Sequence, residues 1–553
     1  MNGINPIITE LLNKRGIFGE DEITEFLSER PQKTYDPFLL MNMEAGVDLI
    51  LSAARQDKKI CIYGDYDADG ITSICLLMRV LSHLTDKIGY YVPSRFEEGY
   101  GLNTKAIESI AASGAQMIIT VDCGSVSYEE TEYAKSLGLE MVITDHHNIT
   151  DKISDCIVIN PKQPGCVYPF KQLAGVGVAF KIAQGLKEKA GLPRSVLTES
   201  LDLVAIGTIG DIVPLVDENR TLAKYGMREL NKLSRKGLSE LARAASLKEG
   251  CINSDSIAFN IVPHLNAAGR MMRADSAIEL LIYEDDETVR KNVGILVESN
   301  IERKKIQEET YLRCVEIVEN ELIDKNCLVI FSKDIHEGIA GIVAGKIKDR
   351  YDKPAMIITP SGDMIKGTGR SPDMINLYDL LGGFEEMFVK FGGHAGACGF
   401  LMMPENLEPL INGLEKKTGE FREKGPLHAI ESPDYDMELS GKDVTIELGE
   451  DIGRLAPFGN QNKKPVFRIG GVCIENVSLM GGSGKHMRFT GRSPDGGAIS
   501  CVLFNKAEEY KDAVDSGRPA DIYGTVEEQV WSGSKRVQFL VERVTLEEKS
   551  DDS

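Results

Sequence analysis

The chain has 553 residues, of which 42% are hydrophobic and 27% charged, and its formal net charge is −22. This length predicts several domains, and the composition is that of an ordinary globular protein. The negative charge disfavours a protein that coats nucleic acid through bulk electrostatics, although a narrow, locally positive groove is compatible with it.

Targeting and disulfide patterns are missing from the sequence. No window approaches the ~18 apolar residues of a membrane helix, and the start "MNGINPIITELLNKRG" lacks the basic and apolar regions of a signal peptide. The eleven cysteines are scattered without CxxC pairs, which is typical of reduced thiols and argues against a zinc ribbon. We therefore expect a cytoplasmic protein with no membrane partner.

The first half of the chain predicts an α/β domain. Residues 1–55 read as an N-terminal helical segment. Over residues 56–284, β-rich runs alternate with helical patterns, for example "KKICIYGDYDADG" before "ITSICLLMRVLSHL", and "AQMIITVDCGS" before "YEETEYAKSLG". This alternation predicts a mainly parallel sheet with helices on both faces, whose functional groups gather just past the carboxyl ends of the strands.

The second half predicts three further parts. Residues 285–322 lack proline and glycine clusters, so we expect one or two long helices that connect two lobes. A second α/β lobe should cover residues 323–425. Over residues 435–545, short strands alternate with Gly/Ser/Asp turns, which favours an all-β barrel of the OB type.

The first β-rich run ends in "GDYDADG", with Asp65, Asp67 and Asp69. Like charges this close repel one another, and a divalent cation is the usual remedy. The spacing also matches the start of a calcium-binding EF-hand loop, but that loop needs Glu at its twelfth position, where this chain has Leu76. The strand-then-helix flanks also disfavour an EF-hand.

Two further apolar runs end in polar side chains of the same kind. "TVDCG" supplies Asp122, and "VITDHHN" supplies Asp145, His146 and His147. Because parallel strands end at the same edge of a sheet, these groups should meet at one site. Asp211 in "LVAIGTIGDIVPL" is a fourth candidate, although periodicity does not decide whether that run is strand or helix.

The donor set favours oxygen-preferring metal ions. Carboxylates with one or two imidazoles suit Mn²⁺ or Mg²⁺, and four or five carboxylates would serve a pair of ions ~3.5–4 Å apart, bridged by one Asp. Each motif alone has an ordinary alternative. An Asp at a strand end often caps a helix, and a His-His pair is often a surface accident. Three strand ends with such groups make coincidence the weaker explanation.

The motifs "GDYDADGITS", "TVDCG", "TDHH" and "GTIGDIVPL", in this order, resemble those of the DHH phosphoesterase superfamily. "NAAGRM", "HEGIAGIVAGKI" and "FGGHAGACGF" make the chain similar to the RecJ family of exonucleases over nearly its whole length. The resemblance implies a DHH domain, a long connecting helix, a DHHA1 domain and an OB fold. It also implies a 5′→3′ exonuclease that is specific for single-stranded DNA, uses two Mn²⁺ or Mg²⁺ ions and releases 5′ mononucleotides in DNA repair and recombination.

The resemblance also assigns roles to positions. Those that match the family's metal ligands are Asp67, Asp69, Asp122, His146 and Asp211. Among them Asp122 matches the bridging ligand. Supporting or proton-handling roles fall to Asp65, Asp145 and His147, because metal ligands need orienting partners. Positions that match substrate contacts are Arg95, Asn266, Arg270, Arg370, Ser371, Gly393 and His394.

The predicted barrel carries aromatic residues among cations, a pattern that suits base stacking and phosphate tracking. The aromatics are Phe489, Phe504, Tyr523, Trp531 and Phe539. The alternative is that most of them fill the barrel core. Trp531, flanked by Gly and Ser in an expected loop, is the strongest stacking candidate. The Gly-rich "GGHAGACGF" could equally be a tight turn between a strand and a helix.

The chain departs from the family pattern away from the proposed metal ligands. The replacements are His264 for Arg, Ile335 for an aromatic residue, Lys346 for Arg, Cys398 for Ala, and Gln461 and Lys463 for Gly and Pro. His336 is ambiguous between a helix start and a DNA contact. These departures leave the details of DNA binding open.

Two other functions remain as alternatives. A DHH enzyme could act on short oligoribonucleotides, cyclic dinucleotides or pyrophosphate, although such an enzyme needs no OB module. A scaffold that has lost its metal ligands is disfavoured because all five expected ligands are present. Single-stranded DNA is the expected partner, and a single-strand-binding protein and a helicase are reasonable further ones.

Overall fold

The computed structural model describes residues 4–96, 98–99, 101–149, 152–423, 435–482, 484–531 and 534–546. Three helices come first: α1 (Pro6–Lys14), α2 (Glu20–Leu27) and α3 (Met43–Arg55). The first lobe then contains β1 (Ile60–Gly64), α4 (Ala68–Leu81), β2 (Ile88–Tyr91), α5 (Thr104–Ala112), β3 (Met117–Val121), α6 (Tyr128–Ser136), β4 (Glu140–Thr144), β5 (Ile157–Ile159), α7 (Gly175–Ala190), α8 (Arg194–Thr198), α9 (Leu201–Gly210), α10 (Asp217–Leu230), α11 (Lys236–Ala244), α12 (Ser254–Ser256), α13 (Val262–Met271) and α14 (Asp275–Ile282).

The first lobe is built on a five-stranded parallel sheet with the order β2-β1-β3-β4-β5. Strands β1 and β3 are buried along their whole length because helices cover both faces, as the apolar runs predict. Strand β2, with the sequence "IGYY", lies between β1 and β3 in the chain and is absent from the sequence prediction. The strand order reverses direction between β1 and β3, which is where sheets of this kind place their ligand sites.

Two apolar layers enclose this sheet. Residues of α3, α4, α7 and α9 form the larger core on one face, and residues of α5 and α6 form a smaller cluster on the other. Helix α3 lies against β5 so closely that a Cβ on Gly46 would come within 2.6 Å of Ile159. The predicted α/β architecture with helices on both faces is therefore confirmed.

One long helix connects the two lobes. Helix α15 (Asp286–Ile317) begins at Asp285, whose side chain accepts the Thr288 amide, and it continues into a π-helical turn, Val318–Leu322. The second lobe contains β6 (Leu328–Phe331), α16 (Glu337–Tyr351), β7 (Ala355–Ser361), β8 (Met364–Arg370), α17 (Leu377–Gly382), β9 (Phe388–His394), β10 (Ala397–Met402) and α18 (Leu407–Glu423).

The sheet of the second lobe is mixed, with the order β6-β7-β8-β10-β9 and only β6 and β7 parallel. Helix α16 packs on one face with the end of α15, and α17 and α18 cover the other. The segment "FGGHAGACGF" forms the β9–β10 hairpin, so the alternative of a strand-to-helix turn is wrong.

The C-terminal region is a barrel. Its elements are β11 (Met437–Glu438), α19 (Ile446–Arg454), β12 (Phe467–Met480), β13 (His486–Arg492), β14 (Ala498–Leu503), α20 (Lys511–Asp515), β15 (Ala520–Trp531) and β16 (Ser534–Leu546). The order β12-β13-β14-β16-β15 closes on itself because β12 also pairs with β15. A closed five-stranded barrel of this kind is the predicted OB fold.

The N-terminal helices join the barrel to the first lobe. Ile8, Leu11 and Ile23 of α1 and α2 belong to the same buried cluster as Phe467 of the barrel. Arg220 of α10 is also buried, and its guanidinium donates hydrogen bonds to the carbonyls of Phe26, Leu455 and Arg454. None of the helices within the described ranges is long and apolar enough to cross a membrane.

Candidate metal centre and basic groove

Three adjacent strands of the first lobe end at the candidate site. Asp65 follows β1, Asp122 follows β3, and Asp145 follows β4. The strands are in register, so their carboxyl ends lie side by side and bring the three carboxylates to one edge. All three are buried, which is costly for a carboxylate without a partner.

Asp67 and Asp69 lie at the start of α4. Asp67 is the N-cap, and its carboxylate accepts the amides of Asp69 and Gly70 at 3.0 and 3.1 Å. Asp69 is buried and accepts the amides of Gly175 and Val176 at 2.7 and 2.8 Å, at the N-terminus of α7. Backbone amides therefore hold both carboxylates in place.

Asp122 has a left-handed backbone conformation, with φ of 60°. Asp tolerates this region better than most residues. A Cβ on Gly175 would lie 2.7 Å from Asp122 Oδ1, so only glycine lets the N-terminus of α7 approach this side chain. Gly175, the first glycine in "AGVGVAF", is therefore part of the site, although no sequence motif pointed to it.

His146 lies at the centre of the carboxylates. Its Nε2 is 3.1 Å from Asp122 Oδ1, 3.6 Å from Asp211 Oδ2 and 3.9 Å from Asp69 Oδ2. Asp211 is the C-cap of α9, so the run "LDLVAIGTIG" is a helix and brings its carboxylate to the strand ends from a different layer. The sequence had left this choice open.

Asp145 orients the histidine pair. It accepts the amides of Ser125, His146 and His147, and its Oδ1 lies 2.8 Å from His147 Nδ1. Burial opposes its ionisation, but the hydrogen bond and positive charge of His147 hold the pKa of Asp145 well below its usual range. Asp145 also raises the pKa of His147 to about 9, against the effect of burial. The half-exposed His147 imidazole can therefore carry a proton at neutral pH.

Burial and repulsion from neighbouring carboxylates raise the pKa of Asp65, Asp69, Asp122 and Asp211. The pKa rises to about 8 for Asp65, about 7 for Asp69 and about 9 for Asp211, and that of Asp122 also lies well above its usual range. Burial lowers the pKa of His146 to about 3, so its imidazole is neutral. A bound divalent cation reverses the carboxylate shifts because it pairs with the ionised form.

The donor atoms fit such a cation. Three groups have all their ligand atoms within 4.8 Å of one another: Asp65 with Asp67 and Asp122, Asp69 with His146 and Asp211, and Asp122 with His146 and His147. Asp122 and His146 each occur in two of the groups, and of the two only the Asp122 carboxylate has a pair of oxygens that can bridge two ions. Buried carboxylate oxygens around a neutral imidazole form a donor set for Mn²⁺ or Mg²⁺, and the buried Asp65 Oδ1 has no hydrogen-bond partner among the described residues.

Arginines from both lobes lie beside this cluster. Burial lowers the pKa of Arg270 to about 10, and the positive charges of Arg95, Arg303 and Arg370 add to that effect. Arg270 lies near the carboxylates: the charge of Asp67 acts against this lowering of its pKa, and a Cβ on the neighbouring Gly269 would lie 2.5 Å from the Tyr66 carbonyl oxygen. We call Arg95, Arg270, Arg303 and Arg370 the basic groove. Because guanidinium groups close together repel one another, the groove is suited to a polyanion.

Contacts between the lobes fix this groove. Arg270 of α13 donates to the Gly338 carbonyl of α16 at 2.9 Å, and a Cβ on Gly338 would meet the Arg270 carbonyl. Arg95 lies over the Tyr66 ring, 5.1 Å from its centroid. Asn266 accepts the Ala68 amide at 2.7 Å, so its carbonyl oxygen helps to cap α4. His336 caps α16, and its ring contacts that of Phe96.

The second lobe contributes the other expected substrate residues. Arg370 ends β8, and the next residue, Ser371, has a buried hydroxyl without a hydrogen-bond partner within the described ranges. His394 is the last residue of β9 and is exposed, and its imidazole lies within range of the positive charge of Arg370. Gly393 has φ of 147°, and a Cβ there would lie 2.3 Å from the Ala397 carbonyl oxygen. The β9–β10 hairpin therefore needs glycine at this position.

The barrel aromatics divide between core and surface. Phe489 and Phe539 are fully buried in the barrel core, so the core alternative holds for them. Phe504 is 50% exposed and packs edge-on against His486. The Tyr523 ring is covered by Arg543, 4.0 Å from its centroid.

Trp531 is the last residue of β15 and pairs with Ser534, so the prediction that its backbone lies in a loop was wrong. The hydrogen-bonded ladder between β15 and β16 extends to this point, and each residue of β15 up to Trp531 has a partner on β16. The Trp531 side chain lies outside the described residues.

The departures from the family pattern have local structural settings. Gln461 has φ of 57°, the left-handed region where glycine is the easier residue. Lys346 pairs with Glu308 at 3.1 Å and so joins α16 to α15. The His264 ring lies near Lys304 and Arg303, and its Nδ1 is 2.5 Å from the Asn260 carbonyl.

Arg303 is the groove residue that sequence reasoning missed. It lies within the long helix α15, far along the chain from every motif, and its guanidinium contacts Asn300 and Gln307. Only the packing of α15 against α13 brings it beside Arg270. Its burial in a charged helix is a tertiary property with no signal in the local sequence.

Three family models match the chain. The DHH family N-terminal domain matches residues 59–208, the DHHA1 domain matches residues 324–420, and the RecJ OB domain matches residues 435–543. Among curated proteins, the chain is 36% identical to the single-stranded-DNA-specific exonuclease RecJ of Bacillus subtilis (strain 168). That similarity covers 99% of this chain and 68% of the Bacillus protein.

Solved structures show the same relationship. RecJ of Thermus thermophilus in complex with Mn²⁺ has a TM-score of 0.82 and 26% identity, over 99% of this chain and 76% of that chain. The structure of the same protein with Mg²⁺ has a TM-score of 0.76 and 25% identity, over 99% of this chain and 75% of that chain.

Proposed function

The chain belongs to the RecJ family of single-stranded-DNA-specific exonucleases, and on this premise we propose that it hydrolyses single-stranded DNA from the 5′ end. The observation that carries the proposal is the cluster of buried carboxylates around a neutral imidazole, which faces a basic groove. The first feature suits phosphodiester hydrolysis with divalent metal ions, and the second suits a polyanionic substrate.

Two Mn²⁺ or Mg²⁺ ions are the cofactors of this proposal, and the related Thermus structures are complexes with Mn²⁺ and with Mg²⁺. The residues that would hold them are Asp67, Asp69, Asp122, His146 and Asp211. When bound, such a pair of ions activates a water molecule and stabilises the leaving oxygen. The hydrogen bonds that backbone amides donate to Asp67 and Asp69 hold these carboxylates in position before a metal ion binds.

The protein's own proton carrier in this proposal is His147. Asp145 fixes its Nδ1, and its half-exposed ring lies next to Asp122 at the open side of the cluster. In the reaction, water attacks phosphorus and the bond to the 3′ oxygen breaks. The released mononucleotide keeps its 5′ phosphate and gains a 3′ hydroxyl, and the shortened strand keeps a 5′ phosphate. Asp65, buried beside the cluster, supports it.

The basic groove would bind the phosphates of the terminal nucleotides. Arg270 and Arg370 come from different lobes, and both can make paired hydrogen bonds to phosphate oxygens. The buried hydroxyl of Ser371 beside Arg370 offers a further donor. A groove that recognises a terminal 5′ phosphate would place the next phosphodiester at the carboxylates, which accounts for 5′→3′ polarity and for release of single nucleotides.

The barrel would guide the rest of the strand. It matches the RecJ OB domain, and exposed Phe504 directly follows β14, which pairs with the strand that carries Arg488. Aromatic faces stack bases, and cations track phosphates. An enzyme for short oligoribonucleotides or cyclic dinucleotides needs no such platform, so the barrel favours long single-stranded DNA.

The wider setting follows from the substrate. An exonuclease that needs single strands acts after a duplex has been opened, so a helicase and a single-strand-binding protein are the proposed partners in DNA repair and recombination. The cytoplasm is the proposed location, in agreement with eleven free cysteines, eight of them buried.

A product time course on end-labelled oligonucleotides tests the function. Single-stranded DNA, duplex DNA and RNA are incubated in parallel with Mn²⁺ or with EDTA, and the Asp122→Ala protein is the control. Labelled mononucleotides should appear at once from the 5′-labelled single strand, whereas the 3′ label should shorten progressively. Cleavage of short RNA or cyclic dinucleotides, with long DNA intact, would overturn the proposal in favour of the small-substrate alternative.

A further inference from the structure

The barrel reaches the metal centre through one loop. Asn460 lies in the loop between α19 and β12 and contacts the segment 212–215 of the first lobe, which directly follows Asp211. Its Nδ2 donates to the Ile212 carbonyl at 2.8 Å, and its own carbonyl accepts the Leu215 amide at 2.8 Å. We call this pair of hydrogen bonds the clasp. It joins a residue of the barrel region to the residue next to an expected metal ligand.

The segment that the clasp holds is strained. Ile212 has φ of 61°, a region that β-branched residues strongly disfavour. Its side chain is 71% exposed, so burial does not compensate for this conformation. A backbone held in an unfavourable region persists only when surrounding contacts impose it, and such positions cluster at functional sites. The clasp is the contact that fixes the Ile212 carbonyl.

The loop that carries the clasp is itself firmly held. Asn462 is buried, donates to the carbonyls of Leu455 and Pro457, and accepts a hydrogen bond from Arg15, the residue after α1. Gly459 approaches the first lobe so closely that a Cβ there would lie 2.7 Å from Leu215 Cδ1. The clasp therefore has a rigid base on the barrel side.

Asp211 is supported differently from Asp67 and Asp69, the two expected ligands at the start of α4. Both of those carboxylates accept hydrogen bonds from backbone amides. No described residue donates a hydrogen bond to the Asp211 carboxylate, which is also 23% exposed. Its direction depends on the end of α9 and on the turn that follows. The conformation of Ile212 is therefore the constraint nearest to this carboxylate on its C-terminal side.

We propose that Asn460 is a positioning residue of the metal centre, which fixes the turn at Ile212 and thereby the Asp211 carboxylate. This inference rests on the proposed function, because it assumes that Asp211 holds a metal ion. It gives the barrel region a second role beside strand guidance, since the catalytic lobe completes its ligand set only when the barrel loop is docked.

The test is calorimetric titration of the full-length protein with Mn²⁺ in the absence of DNA. Asn460→Ala should weaken binding of one equivalent of Mn²⁺ about tenfold, the lower end of what partners of metal ligands contribute, and leave the other equivalent unchanged. Gln461→Ala, in the exposed neighbouring position of the same loop, is the matched control and should bind as the unchanged protein does.

A second variant separates positioning from simple docking of the loop. Glycine adopts positive φ without strain, so Ile212→Gly should restore Mn²⁺ binding in the Asn460→Ala background although it restores no contact to the barrel. Failure of this rescue, or equal Mn²⁺ binding by Asn460→Ala and the unchanged protein, would overturn the inference alone. An unchanged protein that binds no Mn²⁺ would refute the proposed function as well.

Discussion

The residues of the carboxylate cluster come from one region of the fold, whereas those of the basic groove come from three. Every carboxylate and imidazole of the cluster comes from the first lobe, at the ends of strands and helices, and backbone amides hold Asp67, Asp69 and Asp145 in place. The arginines come from the first lobe, the connecting helix and the second lobe. The proposed metal ligands thus come from one lobe, whereas the proposed substrate contacts depend on how two lobes pack.

Replacing an expected metal ligand should give the largest effect, because it should stop turnover while DNA binding persists. Asp122→Asn keeps the shape of the side chain and a residue that tolerates φ of 60°, but it removes the shared charge. We expect turnover on single-stranded DNA to fall by more than about 10³-fold, comparable to the loss of a central catalytic group. The measurement is a 5′-label time course together with DNA binding by fluorescence anisotropy.

Binding is the control in that experiment. Because the basic groove is untouched, Asp122→Asn should hold DNA at least as tightly as the unchanged protein. A parallel loss of binding and turnover would mean that the cluster and the groove form one interdependent unit.

Chelation should give the next largest effect, again on one region only. EDTA should abolish turnover, and Mn²⁺ or Mg²⁺ should restore it. Metal ions should also raise the midpoint of thermal unfolding because they offset the burial and the repulsion from neighbouring carboxylates that act on Asp65, Asp69 and Asp211. At a hundredfold excess over the dissociation constant, one site adds about 2.7 kcal/mol to the free energy of unfolding. Differential scanning fluorimetry measures this.

The Asp122→Asn protein sharpens that measurement. One charge fewer in the cluster should leave the metal-free protein as stable or more stable and should reduce its response to Mn²⁺. An unchanged response would show that Asp122 is not shared between the ions.

Replacing an arginine of the basic groove should weaken DNA binding and leave metal binding intact. Arg370→Ala should weaken DNA binding about 10- to 100-fold, the equivalent of ~1.5–3 kcal/mol for a charge-assisted hydrogen bond, with Mn²⁺ binding unchanged. Arg370→Lys should recover only part of the loss, because an ammonium lacks the paired donors of guanidinium. Anisotropy with 5′-phosphorylated and 5′-hydroxyl strands measures both variants. Equal affinity for the two strands would count against terminal phosphate recognition.

The smallest expected effect lies in the barrel. Phe504→Ala should weaken binding of long single strands by roughly 1–3 kcal/mol, the contribution of one stacked base, and leave hydrolysis of very short strands unchanged. Leu479→Ala is the matched control, because Leu479 is exposed on the same barrel but lacks a π face. If both variants lose the same affinity, the barrel binds through apolar area and not through stacking.

Several parts of the fold could be predicted from local patterns. Apolar runs that end in Asp or Asp-His-His predicted β1, β3 and β4, and the absence of proline and glycine clusters predicted a long helix. The short strand β2 was not predicted, because "IGYY" is four residues long and only half-buried. It has neither the length nor the apolar run of the neighbouring strands.

Other features could not be predicted because their cause lies far away in the chain. The assignment of Asp211 to a helix is decided by the fully apolar surroundings of α9, in which periodicity carries no signal. The division of the N-terminal region is another case. Helices α1 and α2 complete the barrel core, more than 400 residues away, whereas α3 covers the first sheet.

The sequence by itself determined the chemistry of this protein, because ligand type and strand-end position are local properties that short motifs record. The tertiary structure alone decided how that chemistry is supported and reached. It placed Arg303 beside Arg270 and docked Asn460 on the turn after Asp211. These contacts join residues separated by dozens to hundreds of positions, and no local pattern carries them, since they follow from the packing of whole lobes.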